Sequence, residues 1–516
     1  MRKLRGFNSA ERRREWRTLV WLRGVLRLFV AVCLVVASLQ ALDARAQTRR
    51  RNQDAKAQAG DAARAHEEAA ASLVRAVELL QAGKRDEAEP LVRRALSAEP
   101  RSADAHALLG VILDQRGRPR EAEAEYRTAI RLRPESISAR ANLGVLLARE
   151  GRSDEAVETF EAVLAGVPEH PQATLNLGLL YAERGQYERA EPLLERARAA
   201  QPANVAVLSH LAVALVQLKR ADEAAAVLAS ASSLAPEDPD VLYASGLVAS
   251  ARGDSEAAYA FWQRALERRA NFAAANFMIG EELRKHRRYE GAVEFYERAL
   301  EQDPAQLAYY VRLGGTQMLL SQYDKALELF QRAAERFNGR PEVFYFVGVA
   351  ARGRGDYDAS ETALRKSLAL KADNVDALAQ LGFVVGERGR DAEAEQILRR
   401  ALAFDARHFY ANYDLGRLLV RGRRYEEAIR VLQGASRIRE RDAGVHYQLF
   451  IAYSRLKRTA DAERELALFK KLDEERKARR TAGEEESIED TLPTPPTQTP
   501  AVPSAPESLR RYGTVP

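Results

Sequence analysis

The stretch "NLGVLLAREGRSDEAVETFEAVLAGVP" (residues 142–168) is followed by "NLGLLYAERGQYERAEPLLERARAAQP" (residues 176–202), the second copy starting 34 residues after the first. Glycines, one alanine and the closing proline stay in step between the two. A fixed period of this size is the signature of a repeat array, in which each unit buries its apolar face only by stacking on a neighbour.

The echo runs far beyond these two copies. A step of 34 from Gly144 meets Gly110 on one side and Gly178, Ala212, Gly246, Gly280, Gly314, Gly348, Gly382 and Gly416 on the other. A second column holds Ala88, Ala122, Ala156, Ala190, Ala224, Ala258, Ala292, Ala326, Ser360, Ala394, Ala428 and Ala462. A third holds Ala95, Ala129, Val163, Ala197, Ala231, Ala265, Ala299 and Ala333, and continues through Ser367, Ala401 and Ala435 to Phe469. Twelve units therefore tile residues 69–476 without insertion or deletion. Within a unit, Leu143 and Leu147 stand four apart on one helix face, and Gly151 breaks the pattern at a turn. Asp154 and Glu155 open a second helix, where acidic groups suit the dipole, and Pro168 stops it. Each unit reads as a helical hairpin in which glycine on the first helix leaves a recess and alanines on the second fill it.

This 34-residue unit resembles the tetratricopeptide repeat. "NLGLLY" to Tyr181, then Ala190 and Pro202, is a good copy of that family's pattern. The resemblance implies an all-α fold, an α-solenoid of twelve helix-turn-helix repeats wound as a right-handed superhelix. Two departures stand out. The first-helix tryptophan of the family is replaced by residues such as His106, Arg140, Leu208, Tyr310 and Phe344, and the closing proline survives in six units of twelve.

The flanks differ from the array. Residues 1–46 carry ten basic and three acidic side chains, which leaves 70 basic against 71 acidic elsewhere, so the net charge of +6 is a property of the amino terminus alone. The body offers no basic surface for nucleic acid. An arginine-rich start, the apolar run "LFVAVCLVVASL" (residues 28–39) and "ARAQ" form the ordered regions of an export signal. Twelve apolar residues are short for a membrane span of about 20, which favours cleavage after Ala46 over a permanent anchor, with "TLVWL" able to lengthen the buried stretch in the anchored alternative. Either way the array is expected on the outer side of the membrane, periplasmic or secreted when cleaved and facing the periplasm from the inner membrane when anchored. Cys33, the only cysteine, lies inside this run, so a processed chain has neither disulfides nor thiolate metal sites. Residues 47–68 read as a linker that turns helical near the first repeat, and residues 477–516 as a disordered Pro/Thr-rich tail.

Catalytic chemistry is not apparent. The seven histidines are scattered, with no HExxH pair, and the one Gly-Lys step, Gly83-Lys84, is a repeat turn. "RGD" at 252–254 and 354–356 falls on the same turn and helix start of two repeats. No cofactor, metal or catalytic residue is expected, and the array is read as non-enzymatic.

Binding is expected on the first helices. With repeat positions 4, 7, 8 and 11 packed inward, positions 2, 5, 6, 9, 12 and 13 form an adjoining face, and the resemblance places that face along the groove of the superhelix. Asn142, Asn176 and His210 occupy position 6, where an amide both donates and accepts and so grips an extended peptide backbone. Adjacent asparagines there resemble the asparagine ladder of O-GlcNAc transferase repeats. Toward the carboxyl end the face gains Tyr243, Phe277, Phe346 and Tyr413, and the cations Arg284, Arg312, Arg352, Arg417 and Arg421. Aromatic anchors and arginine forks are common makings of interface hot spots. The expected partner is a protein or extended peptide, acidic or aromatic in character. Two readings remain: an exported scaffold that holds such a peptide, and a signal-anchored protein organising an envelope assembly or secretion complex.

Overall fold

The computed structural model describes residues 64–481 together with 49, 51 and 56. The leader (1–46), most of the linker (47–68) and the tail beyond residue 481 lie outside the described residues. Every regular element among the described residues is an α-helix. They pair in sequence as twelve hairpins, from a helix over 64–81 with Arg85–Ala98 to Ala443–Arg455 with Thr459–Thr481. Three hairpins make up described residues 64–168, and nine make up 169–481, as two separate compact units.

Local chemistry sets the hairpin ends. Seven of the first helices begin at a polar side-chain cap, whereas those after Ser136, Phe272, Gln306 and Arg340 do not. Asn374 accepts from the Ala377 amide at 3.1 Å and Asp442 from Val445 at 3.0 Å, each relieving one of the orphan N–H groups of a helix start. The turn inside every hairpin passes through a left-handed residue. Gly151 sits there at φ +76°, and Lys219, Arg287, Ser321, Arg423 and Lys457 hold the same conformation at φ +57° to +61°. The two RGD sequences are this turn: Gly253 and Gly355 have positive φ, and Asp254 and Asp356 cap the next helix through the amides of Ala257 and Ala359 at 3.0 and 2.9 Å.

The two helices of a hairpin are buried differently. A second helix such as Pro119–Leu132 buries one stripe, Ala122, Tyr126 and Ala129, the pattern of a helix with one face on a core. A first helix such as Pro171–Glu183 is buried continuously from Ala173 to Ala182, and its own partner Tyr187–Ala200 and the next first helix Val205–Gln217 pack against it. Position 3 (Ala139, Val207, Val241, Tyr309, Val343) is as buried as the glycine column, although no constant residue type marks it.

The recess left by each glycine is filled otherwise than the sequence predicts. A Cβ on Gly144 would lie 2.7 Å from Cε1 of Phe160, one on Gly110 2.6 Å from Cδ1 of Tyr126, and one on Gly382 2.5 Å from Cγ of Leu398. The occupant is the bulky side chain at position 24 of the second helix, while the alanines at positions 20 and 27 are buried beside it at near-zero exposure. A methyl group is too short to fill a recess between two helix axes, whereas a ring reaches into it.

Charged staples join successive hairpins. Glu123 accepts from Arg152 at 2.8 Å, Glu191 from Arg220 at 3.0 Å, and Glu395 from Arg424 at 2.8 Å. Glu89 meets Arg118 and Arg116, and Glu361 meets Arg390 and Arg388, in the same register. In each case position 21 of one hairpin pairs with position 16 of the next. Where position 21 is Ala225, Val293 or Leu327, the following position 16 is Asp254, Gln322 or Asp356, while Ile429 is followed by Arg458, which pairs with Asp461 on its own helix.

Candidate partner-binding face

The first-helix face of the nine-hairpin unit collects nearly all the predicted binding residues, and it divides into a polar part and an aromatic, charged part. Asn142 belongs to the three-hairpin unit, where it is buried.

In the polar part, Asn176 is 1% exposed. Its amide nitrogen donates to the Gln172 carbonyl at 2.7 Å, but its Oδ1 is buried without a hydrogen-bond partner, as are Gln172 Nε2 and Thr174 Oγ1 on the same helix and Ser209 Oγ in the next hairpin. The Gln380 Oε1, again at position 6, is in the same state. Buried polar atoms are ordinarily satisfied, and each exception needs an explanation. His210 spends its Nδ1 on the Ala206 carbonyl at 2.8 Å.

Three predicted aromatic anchors are built into the packing. Phe277 lies between Tyr309 and Tyr296, with centroids 4.9 and 5.5 Å away. Phe346 stacks on Phe330 at 5.2 Å. Tyr243 packs on Phe272 at 5.2 Å, and its carbonyl accepts from Trp262 Nε1 at 3.2 Å. Tyr413 is half-buried, its ring parallel to Phe409 at 6.0 Å.

Most of the predicted cations have internal carboxylate partners. Arg312 and Arg284 share Glu281 at 3.1 and 3.7 Å, and that carboxylate also accepts from the Tyr296 hydroxyl. Arg421 takes Asp391 and the Gly386 carbonyl, the latter at 3.0 Å. Lys285 pairs with Glu282 at 3.4 Å. The excess of positive charge counted along the face is therefore smaller than the sequence implies, because Glu282 and Asp391 come from positions outside it. Arg352 is different. It lies over the Phe383 ring at 5.0 Å, and no carboxylate of the described residues stands within ion-pair distance of it.

Phe383 lines a cavity of about 230 Å³ together with Glu387, Asp414, Arg417, Arg421 and Gln448, and Arg352 lies outside that lining. Arg417 bridges two acids, Glu387 at 2.9 Å and Asp414 at 3.4 Å, and also approaches the Phe383 ring at 5.6 Å. Burial pushes the Asp414 carboxyl up to about 6. Arg417 and Arg352 oppose that rise and Glu387 adds to it. Phe383 and Asp414 fall at positions 9 and 6 of their repeats, both on the face. Nothing in the sequence disclosed that Asp414 is desolvated.

No histidine joins a catalytic or metal cluster. His170 and His408 cap helices through Ala173 and Ala411, and His446 bonds Glu465 at 2.7 Å and the Glu440 carbonyl at 2.9 Å. Among the described residues no group of three or more histidine, cysteine or acidic side chains is placed to hold a metal ion, and no helix is long and apolar enough to cross a membrane.

Comparison with known proteins agrees with this geometry. Tetratricopeptide repeat profiles match residues 73–137, 113–174 and 141–191, and a second such profile matches 181–249. The profile of the cilia and flagella-associated protein 70 C-terminal domain matches residues 263–488. No curated relative matches the chain. Among solved structures, yeast Tom70 is similar at 16% identity over 76% of this chain and 96% of its own, with a TM-score of 0.35. The Cut9–Hcn1 hetero-tetramer of the APC/C gives 14%, 77%, 88% and 0.44. PilF of Pseudomonas aeruginosa gives 22%, 39%, 92% and 0.35. Twelve helical hairpins at a 34-residue period, nine of them with a glycine at position 8, together with the profile matches, make this an all-α array of repeats of the tetratricopeptide type.

Proposed function

We propose that this chain is a non-enzymatic scaffold whose first-helix face holds an extended segment of a protein partner. Repeat arrays of this kind generally serve protein–protein interaction, and the expected use is the same here. The observation that carries the reading is the accessible part of that face toward the carboxyl end, where Tyr447 is exposed and Arg352, Phe383, Tyr413 and Gln448 remain partly exposed. Accessible aromatic rings and arginines are common makings of interface hot spots. Photo-crosslinkable residues at positions 172, 380 and 448 should capture a partner in native extracts, and residues at the second-helix positions 230 and 332 should not. Capture from the second-helix positions alone overturns the reading.

The leader supports an exported scaffold, with the array outside the cytoplasmic membrane. The apolar run of residues 28–39, lengthened by "TLVWL", supports the anchored alternative, in which the array organises an envelope assembly. The mass of the mature protein separates the two: loss of the first 46 residues gives the former, an intact chain the latter.

A further inference from the structure

We propose that the cavity beside Phe383 is a subsite for a carboxylate side chain of the bound peptide, received by Arg352 and Arg417, and that Asp414 is an internal carboxylate that holds the place when the ligand is absent. The proposal deepens the scaffold reading and rests on it.

Three observations converge. First, the cavity is lined by charge: two acids share Arg417 in its wall, while Arg352, outside the lining and over the Phe383 ring that forms part of it, has no carboxylate partner among the described residues. A guanidinium beside a ring, with no carboxylate of its own, keeps N–H donors for a carboxylate fork. Second, Asp414 is the single acid in its column, which elsewhere holds Asn142, Asn176, His210, Ala244, Met278, Arg312, Phe346, Gln380 and Gln448. The register demands no acid there, and burial makes one costly. Third, Arg417 reaches Asp414 at 3.4 Å but Glu387 at 2.9 Å, so the Asp414 contact is the looser one, open to exchange.

The charged groups facing Asp414 are few. Arg417 lies on its own helix, Glu387 on the preceding first helix and Arg352 on the one before that. The following first helix brings the neutral Gln448, and Arg421 at the rim is engaged by Asp391 from a second helix. With Asp414 ionised, Arg352, Arg417, Glu387 and Asp414 sum to zero. With Asp414 protonated they sum to +1, and Arg417 is released toward an incoming anion. The lowered ionisation of Asp414 therefore controls entry. With its carboxyl at about 6, the protonated fraction falls about twentyfold between pH 5.5 and 7.5, while peptide glutamates near 4.3 stay mostly ionised.

The test uses the full chain and two fluorescein-labelled decapeptides, one alternating Glu and Ala with a central Tyr, the other with Gln for every Glu. Anisotropy should show the Glu peptide binding about twentyfold tighter at pH 5.5 than at 7.5, and the Gln peptide unchanged. Asp414→Asn should bind the Glu peptide at pH 7.5 as tightly as the wild type does at 5.5. Arg352→Gln should weaken the Glu peptide about tenfold or more and leave the Gln peptide unaffected, which also reports that the variant is folded. Equal, pH-independent binding of both peptides overturns the subsite and leaves the scaffold reading standing. Failure of both peptides to bind at any pH overturns the subsite, and with an absence of first-helix crosslinks it overturns the scaffold reading as well.

Discussion

Gly314 and Gly315 are neighbours on the helix Leu307–Leu319, and replacing each by alanine separates packing from propensity at one place. Alanine is better than glycine in a helix interior by about 1 kcal/mol, and both variants collect that gain. A Cβ on Gly315 meets nothing within 4 Å, so Gly315→Ala is expected to stabilise by about 1 kcal/mol. A Cβ on Gly314 would lie 2.7 and 2.8 Å from Cε2 and Cε1 of Phe330 and closer still to Cζ. Phe330 is 1% exposed and stacked on Phe346, so the ring has no room to retreat. Overpacking of this kind costs about 1–3 kcal/mol, and the confined ring puts it at the upper end, for a net loss of about 2 kcal/mol. The two variants should thus differ by about 3 kcal/mol. Because a solenoid opens in parts, the assay is hydrogen exchange of amides in this hairpin rather than a single melting point. The fifth hairpin supplies a rescue, since it pairs Ala212 with Leu228 at the same two positions. Gly314→Ala with Phe330→Leu should lose less than the sum of the two single changes, a favourable coupling of about 1 kcal/mol. If Gly314→Ala and Gly315→Ala shift protection alike, the recess does not do what the geometry says.

Other outcomes follow from the same structure. Lys219→Gly and Arg423→Gly relieve left-handed turns at φ +61° and +58°, and each should raise stability by about 1 kcal/mol in hydrogen exchange of its hairpin. The Glu465 hydrogen bond, ahead of burial, holds the His446 imidazolium above its ordinary 6.5. Its contribution is complete below that value and fades as pH rises through the raised one, so slow exchange of the last hairpin should weaken above neutrality and His446→Gln should remove the trend. Glu361 is held below its ordinary 4.5: burial works against this, and Arg365 and Arg390 outweigh it. Its contribution is present above 4.5 and is lost as pH falls through the lowered value, and Glu361→Ala should cost about 1 kcal/mol at pH 7, reduced by screening at its half-exposed arginines.

The hairpins were readable because their signal is positional. Only a residue without a side chain fits where a position-24 ring enters, so glycine recurs every 34 residues and survives as pattern. Position 3 carries no such signal. Alanine, valine and tyrosine all serve at Ala139, Val207 and Tyr309, because the surrounding helices adjust to each. Of the residues that share the face in the repeat register, Phe277 and Phe346 are engaged by Tyr309 and Phe330, contacts between residues 16 or more apart that periodicity does not encode. The charges were harder still. Arg421 looks free along its own helix and is engaged by Asp391 from a different register, and the desolvation of Asp414 depends on everything packed around it.

The Glu–Arg staples restrict how the array can be edited. Excising residues 375–408 places Glu361 opposite Arg424, a matched junction, whereas excising 341–374 places Leu327 opposite Arg390, a guanidinium against a leucine. Equal lengths of chain are lost in both, and the helices on either side keep their own sequence. The first deletion keeps an interhairpin ion pair and should leave the junction as stable as its parent. The second leaves Arg390 to Glu393 of its own helix, the arrangement that Arg458 opposite Ile429 already has with Asp461, and should cost that junction up to about 1 kcal/mol. A stack of near-identical bricks thus carries, in one pair of columns, marks of which brick was laid beside which.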